Sequence, residues 1–341
     1  MSTRRGRSAE GQSRRRFLAQ ATALGAAPLL GTTHTVRAEP PPEVDKIRLP
    51  HTGAICLAPQ YVAEALLRLE GFRAVEYVDV PYTGGSALTT GRADLSMDYV
   101  PSLVWSLDAA AKIVALAPVH SGCFALIGNQ RITAVRELKG HKVAISGFGQ
   151  GDYIFLASMV AYVGMDPQRD IEWVETGSIA GNAQAFEGGK ADAFLGFPPQ
   201  PQKLRERKLG RVIVDGTHDR PWSQYTCCVI AGTTDFVGRN PIATRRAIRA
   251  FLKAADLCAK DPEQAARTLV NKGFEPRYDV VLKVLGEVPY QTWRDANPED
   301  ALRFYALRLH EVGLIKTSPA KLITQGTDWR IFDELKREMK A

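Results

Sequence analysis

The strongest local chemical signal in the chain is Ser146-Gly147-Phe148-Gly149-Gln150-Gly151-Asp152. Glycines ahead of a helix let backbone N–H groups turn inward at its N-terminus, where the dipole favours an anion. The same residues also fit a plain turn capped by Asp152. No Lys-Ser/Thr follows, so this is not a Walker-type phosphate loop, and the glycines do not make a clean G-x-G-x-x-G. Tyr82-Thr83-Gly84-Gly85-Ser86 and Gly177–Asn182 set up similar turns, and Thr52-Gly53 follows the first strand in the corresponding place.

A helix N-terminus contributes roughly 0.3–1 kcal/mol, whereas a micromolar dissociation constant requires about 8 kcal/mol. Buried apolar ligand surface, at about 25 cal/mol per Å², has to supply the rest. The aromatic candidates are Tyr99, Phe148, Tyr153, Phe197, Trp222 and Tyr225, each of which could equally be lobe core. They point to an organic ligand with a flat or apolar body in preference to a bare inorganic ion. Asp98, at the end of a strand, could accept hydrogen bonds from an amine, amide or pyrimidine group if it faces the ligand. His51 and His120, the latter followed by Ser121, fit either ligand contacts or satisfied structural histidines.

Five cysteines (Cys56, Cys123, Cys227, Cys228, Cys258) are odd in number, so one at least lacks an intramolecular partner. A bridge from Cys123 to Cys227 or Cys228 would stiffen a hinge, and small buried thiols suit the pattern better. His51 with Cys56, and His120 with Cys123, could supply soft metal ligands if their loops converged. A metal-binding receptor is therefore an alternative reading, although the expected cofactor complement is none. No G-x-S-x-G, H-E-x-x-H or comparable catalytic set occurs, which argues against an enzyme.

The elements that must position these residues come in two copies. Lys46-Ile47-Arg48-Leu49 is echoed by Lys142-Val143-Ala144-Ile145, and Val75-Glu76-Tyr77-Val78 by Ile171-Glu172-Trp173-Val174, both 96 residues on. Gly91-Arg92-Ala93-Asp94 returns as Gly189-Lys190-Ala191-Asp192 at an offset of 98, and the match continues to Tyr99/Phe197 and Pro101/Pro199. Three echoes in one order indicate a duplicated unit, and two copies make two lobes, not a solenoid. Each copy reads as strand, Gly-bearing loop, helix, strand, Gly-bearing loop, helix, strand, which predicts parallel sheets with helices on both faces. Ligands of such sheets bind beyond the carboxyl ends of the strands. Strand-like passages at Lys112–Ala117 with Phe124–Ile127, and at Arg211–Val214 with Thr226–Ala231, predict a two-strand hinge around residues 119–129 and 217–228. From Pro241 onward the pattern is helical. Ile242–Lys260 carries an apolar face (Ile248, Phe251, Leu252, Ala255) and a basic face (Arg245, Arg246, Arg249, Lys253) read as solvated surface.

The first 38 residues read as an address label. Ser13-Arg14-Arg15-Arg16-Phe17-Leu18 fits a twin-arginine export signal, a mild apolar run extends to Gly31, and Val36-Arg37-Ala38 offers a cleavage site. The run is too short for a membrane anchor, which needs about 20 apolar residues. Of 44 basic residues seven fall in this leader, with one acid, so the formal charge of +7 drops to near +1 beyond it. The basic balance then gives no warrant for nucleic-acid or membrane binding.

A family resemblance rests on particular residues. Ala58-Pro59-Gln60-Tyr61 at a helix start, Thr83-Gly84-Gly85-Ser86-Ala87-Leu88, Gly91-Arg92-Ala93-Asp94, Glu137-Leu138-Lys139-Gly140-His141-Lys142-Val143-Ala144 and Asp235-Phe236…Asn240-Pro241 carry it. The chain resembles solute-binding proteins of ABC importers, in the nitrate/sulfonate/taurine branch that also includes binders of thiamine pyrimidine precursors. The resemblance implies an α/β, two-lobed type II periplasmic-binding-protein fold, with residues 39–128 and 226–341 in one lobe and 129–225 in the other. It further implies a monomer in the periplasm that takes a small organic solute (sulfonate, carboxylate or pyrimidine-like) and docks on a membrane permease with its ATPase. Asp98-Tyr99 stands where the family often has small residues, and a carboxylate there speaks against a simple sulfonate or nitrate. Pyrimidine synthases of thiamine biosynthesis share the fold but carry a longer cysteine cluster than Cys227-Cys228.

Overall fold

The computed structural model describes residues 39–80 and 85–339. The leader and its export signal, with Thr83 and Gly84, lie outside the described residues. From Pro41 the chain forms one compact unit. Its strands are β1 (Lys46–His51), β2 (Ala74–Asp79), β3 (Leu95–Tyr99), β4 (Ile113–Ser121), β5 (Ala125–Gly128), β6 (Lys142–Ile145), β7 (Glu172–Glu175), β8 (Ala193–Gly196), β9 (Arg211–Asp215) and β10 (Thr226–Thr233). They build sheets ordered β1-β2, β3-β10-β4 and β7-β6-β8-β5-β9. No described helix is long and apolar enough to cross a membrane.

The pairs β1–β2, β6–β7 and β6–β8 are parallel, as the duplicated unit predicts. The strands contributed by the crossings are not: β10 runs antiparallel to β3 and β4, and β5 antiparallel to β8 and β9. One strand of each crossing pair carries the chain out of a lobe and its neighbour carries it back, so the two must oppose.

The duplication shows in one repeated device. Asp94 accepts the Arg48 N–H (2.8 Å) while its own N–H donates to the Arg48 carbonyl (2.9 Å). Asp192 does the same with Lys142, at 3.1 and 2.7 Å. The glycine three residues before each aspartate is left-handed, with φ of +67° at Gly91 and +69° at Gly189, a conformation that excludes most side chains. These bonds make Arg48, not Lys46, the counterpart of Lys142. The sequence echo is therefore two residues out of register in the first strand, and a slip of two leaves the alternation of faces unchanged.

Two segments cross between the lobes, residues 122–124 and 216–225. They touch: the Gly216 N–H donates to the Phe124 carbonyl at 2.8 Å, and a Cβ on Gly122 would stand 1.7 Å from the Gly216 carbonyl oxygen. Gly122→Ala is expected to cost on the order of 3 kcal/mol, read as a lowered urea midpoint. Gly238→Ala, in the helix Thr234–Arg239 where a Cβ meets nothing within 4 Å, should raise the midpoint slightly.

The helix Pro241–Lys260 buries Ile248, Phe251, Leu252 and Ala255, as its pattern predicts. Its basic face is not solvated surface. Arg249 (Nε–Oε1 2.8 Å) and Lys253 (3.4 Å) converge on Glu70, which is buried between them and the first lobe. Two later helices reach both lobes. Pro298–Glu311 packs on Val100–Asp108 and on Gly151–Tyr162. Near Tyr278–Glu287, Glu275 pairs with Lys203 (2.7 Å) and Glu287 with Arg205 (2.5 Å).

Candidate functional site

A cavity of about 180 Å³ lies at the carboxyl ends of β1, β3 and β8. Thr52, Gly53, Ala54 and Tyr99 line it from the first lobe, and Ile179, Ala180, Phe197, Pro198, Pro199 and Gln200 from the second. Gly53 turns the chain after β1 with φ +72°, which only glycine adopts freely. Tyr99 ends β3 and Phe197 follows β8, equivalent places in the two copies. Their rings stack with centroids 4.3 Å apart and planes 20° from parallel. Above the cavity the Ile55 N–H donates to the Pro198 carbonyl at 2.9 Å, so the lobes meet there. Gln200 donates through Nε2 to the Ile179 carbonyl (2.7 Å), while its Oε1 is buried with no hydrogen-bond partner. The wall is thus mostly apolar, with an unfilled acceptor on one of its residues.

Other candidates sit elsewhere. Asp98 is adjacent to Tyr99 on β3, so its side chain leaves by the opposite face. It is buried, its Oδ1 accepts the Tyr99 N–H at 2.8 Å, and Oδ2 has no partner. Burial pushes its carboxyl up to about 7. The His51 Nδ1 lies 2.7 Å from Asp79 Oδ1 and its ring packs on Tyr61 and Phe274. His120 is edge-on to Tyr290 among backbone carbonyls, and the Ser121 N–H donates to Thr292 Oγ1 (3.0 Å). None of these lines the cavity.

The loop from Ser146 to Asp152 resolves toward the capped turn. The Asp152 carboxylate is buried and accepts from Ser146 N, Ser146 Oγ and Asn182 Nδ2, each at 2.6 Å. It thereby occupies donors that an anion would need, and Glu175 Oε2 stands 3.4 Å from the Phe148 N–H. Burial raises the Asp152 carboxyl above its ordinary value in spite of these bonds. Gln150 closes the turn on the Gly147 carbonyl (3.2 Å). Phe148, Gly149 and Tyr153 belong to a second, open groove with Trp105 and Trp173. Trp222 and Tyr225 pack on Phe304 of the helix Pro298–Glu311, Tyr225 with centroids 4.1 Å apart. They belong to the second crossing itself and pack it onto that helix, outside the cavity wall. Gly85 opens the short helix Gly85–Thr89, outside the cavity lining.

Of the candidate residues the structure brings Thr52, Gly53, Tyr99 and Phe197 together in this wall, with Ile179 and Ala180 from the Gly177–Asn182 turn; Ala54, Pro198, Pro199 and Gln200 were not singled out from the sequence. The signal for Pro198–Gln200 was present in the Pro101/Pro199 match, which extends the repeat past the strand end.

Comparison with known proteins fits this architecture. The periplasmic nitrate-binding protein NrtA from Synechocystis PCC 6803 superposes with a TM-score of 0.75 at 14% identity, covering 88% of this chain and 90% of that one. The alkanesulfonate-binding protein SsuA from Xanthomonas axonopodis pv. citri, bound to MOPS, gives 0.68 at 18% identity, covering 84% and 98%. The aliphatic sulphonate-binding protein SsuA from Escherichia coli gives 0.63 at 20%, covering 82% and 91%. At these identities the likeness shows the fold, that of periplasmic binding proteins. No protein of curated function matches the sequence significantly. The model of the family described as NMT1/THI5 like matches residues 76–265, from β2 through both crossings into the C-terminal helices. With more than half of its length inside that match and the two-lobed fold around it, the chain belongs to the NMT1/THI5-like family.

Proposed function

We propose that this chain is the extracytoplasmic solute-binding component of an ABC importer, and that its ligand is a small organic molecule held between the lobes. The observation that carries the reading is the cavity itself, placed at strand ends where α/β sheets take ligands and walled by the Tyr99–Phe197 stack. The relatives named above, two sulfonate binders and a nitrate binder, support an import role. The volume falls below the roughly 300–1,000 Å³ of drug-sized sites, so the solute is small. The apolar wall suits an alkyl or ring body, and the unfilled Gln200 Oε1 suits a ligand N–H or O–H. Asp98, turned away from the cavity, does not bear on ligand charge. In this reading residues 1–38 direct export to the periplasm by the twin-arginine route. Residues 39–121 with 226–341 form one lobe and 125–215 the other, since β5 (Ala125–Gly128) pairs with β8 and β9 and so falls in the second lobe and not the first. A monomer delivers its load to a permease and ATPase.

The test compares native and denatured masses of the purified protein. It then measures melting temperature with nitrate, an alkanesulfonate and an aminopyrimidine. An organic adduct of a few hundred daltons or less is expected, and the matching solute at a hundredfold excess over its dissociation constant should stabilise by about 2.7 kcal/mol. Gln200→Ala should weaken that binding about five- to tenfold, the worth of one hydrogen bond. Stabilisation by nitrate alone would overturn the organic-solute reading.

A further inference from the structure

On the far side of Tyr99 from the cavity, four of the five cysteines converge with His120. Cys56 follows β1, His120 and Cys123 lie at the end of β4 and the start of the first crossing, and Cys227 and Cys228 open β10. All five side chains are buried, and every cysteine is a free thiol. Cys228 stands opposite His120 in the β10–β4 ladder. Consecutive strand residues ordinarily point to opposite faces, yet the sulfurs of Cys227 and Cys228 are 3.9 Å apart. The ladder explains this: its register shifts on both sides of Cys228, and such bulges re-aim side chains. Cys123 Sγ lies 3.2 Å from Cys227 Sγ. One ligand atom each from His120, Cys123 and Cys228 falls within 4.8 Å of the others.

His120 adds an independent observation. Its Nδ1 lies 3.0 Å from the Ser121 carbonyl, a natural acceptor for the single N–H of a neutral ring. Nε2 lies 3.2 Å from the Cys56 carbonyl, a second backbone acceptor. A neutral ring has one N–H for these two carbonyls, so one nitrogen can be held by the backbone while the other turns to a metal.

We propose that His120, Cys123 and Cys228, with the adjoining Cys227 drawn in as fourth ligand, form a resident zinc(II) site that ties the first crossing to β4 and β10. Zinc–sulfur bonds of about 2.3 Å place tetrahedral ligands roughly 3.8 Å apart, close to the 3.2 and 3.9 Å already present between the sulfurs. Three thiolates and one imidazole complete the coordination, leaving no open position, which makes the site structural and not a carrier of transported metal. On binding, each of the three thiols releases its proton to solvent as its metal–sulfur bond forms; His120 enters neutral, and nothing is oxidised or reduced. Cys56, its Sγ 3.6 Å from Tyr99 Oη, stands between this site and the cavity wall. The inference uses no cavity residue, so it stands or falls apart from the proposed solute.

The experiment takes the full chain, purified and reduced, and measures metal content after exposure to zinc(II) and, separately, copper(I). About one zinc per chain is expected, with Cys228→Ser or His120→Ala lowering zinc affinity on the order of 100-fold or more. Cys258→Ser, a thiol buried within the helix Pro241–Lys260, should leave it unchanged. Because a ligand variant could fail to fold, wild-type protein titrated with cobalt(II) gives a second readout, expected to show the thiolate charge-transfer and tetrahedral bands. The proposal is overturned if reduced wild-type protein takes up no zinc, if copper(I) alone binds, or if Cys258→Ser abolishes uptake as Cys228→Ser does. A Cys123–Cys227 disulfide in the unreduced protein that yields no zinc site after reduction would also overturn it.

Discussion

Phe197→Ala is expected to remove about 3–5 kcal/mol of stability and to abolish solute binding together. The ring is 2% exposed, stacked on Tyr99 and edge-on to Phe155, so truncation loses its transfer energy and leaves a void the neighbours cannot fill. Domains of ordinary stability hold only 5–15 kcal/mol, so the loss is a large fraction of the whole. Phe197→Leu separates the two roles. It keeps apolar volume and should cost under about 1.5 kcal/mol of stability, while binding still weakens by the 0.5–1.5 kcal/mol that a ring contact adds. Urea unfolding read beside calorimetric titration checks both. Full stability in the alanine variant would show that the stack supports neither lobe.

Asp98→Asn should flatten the pH dependence of stability between pH 4 and pH 7. The native carboxyl is raised to about 7 by burial, against about 3.9 in the unfolded chain. Its folded pKa lies above its unfolded one, so the native state binds the proton more tightly. Stability from this group is complete below pH 4 and falls by up to about 1.4 kcal/mol per unit until the folded group ionises near pH 7. The accumulated loss is on the order of 4 kcal/mol. Asparagine keeps an oxygen to accept the Tyr99 N–H and carries no charge to bury. The variant should therefore exceed wild type in urea midpoint at pH 8 and match it near pH 4. Parallel curves for the two proteins across that range would sink the assignment.

The fold was legible because duplication is written in residues of fixed type. Gly91 and Gly189 turn left-handed at no steric cost, and Asp94 and Asp192 each secure a first strand, so the same chemistry recurs in both copies and makes the echo readable. The first-strand register was not legible, since a two-residue slip leaves the same face inward. Within the site, Tyr99 and Phe197 could be read because they end equivalent strands. Asp152 could not be read as internal, because what occupies it includes Asn182, 30 residues away. The basic face of Pro241–Lys260 misled for the same reason: its partner Glu70 lies 179 residues from Arg249. Asp98 was readable in principle, since alternation sends it away from wherever Tyr99 points.

Two separate tethers would let a pair of bodies twist, slide and tilt independently. At Gly122 and Gly216 the tethers lie backbone against backbone and share a hydrogen bond at Phe124, so they bend as one ribbon. Twisting or shearing would drive the Gly216 carbonyl into its neighbour, whereas folding about the line of contact leaves it intact. Parting Tyr99 from Phe197 about that line would also have to release the Glu275–Lys203 and Glu287–Arg205 pairs, so one distance between labels on β2 and β7, followed as those pairs are removed, would report the whole of such a movement.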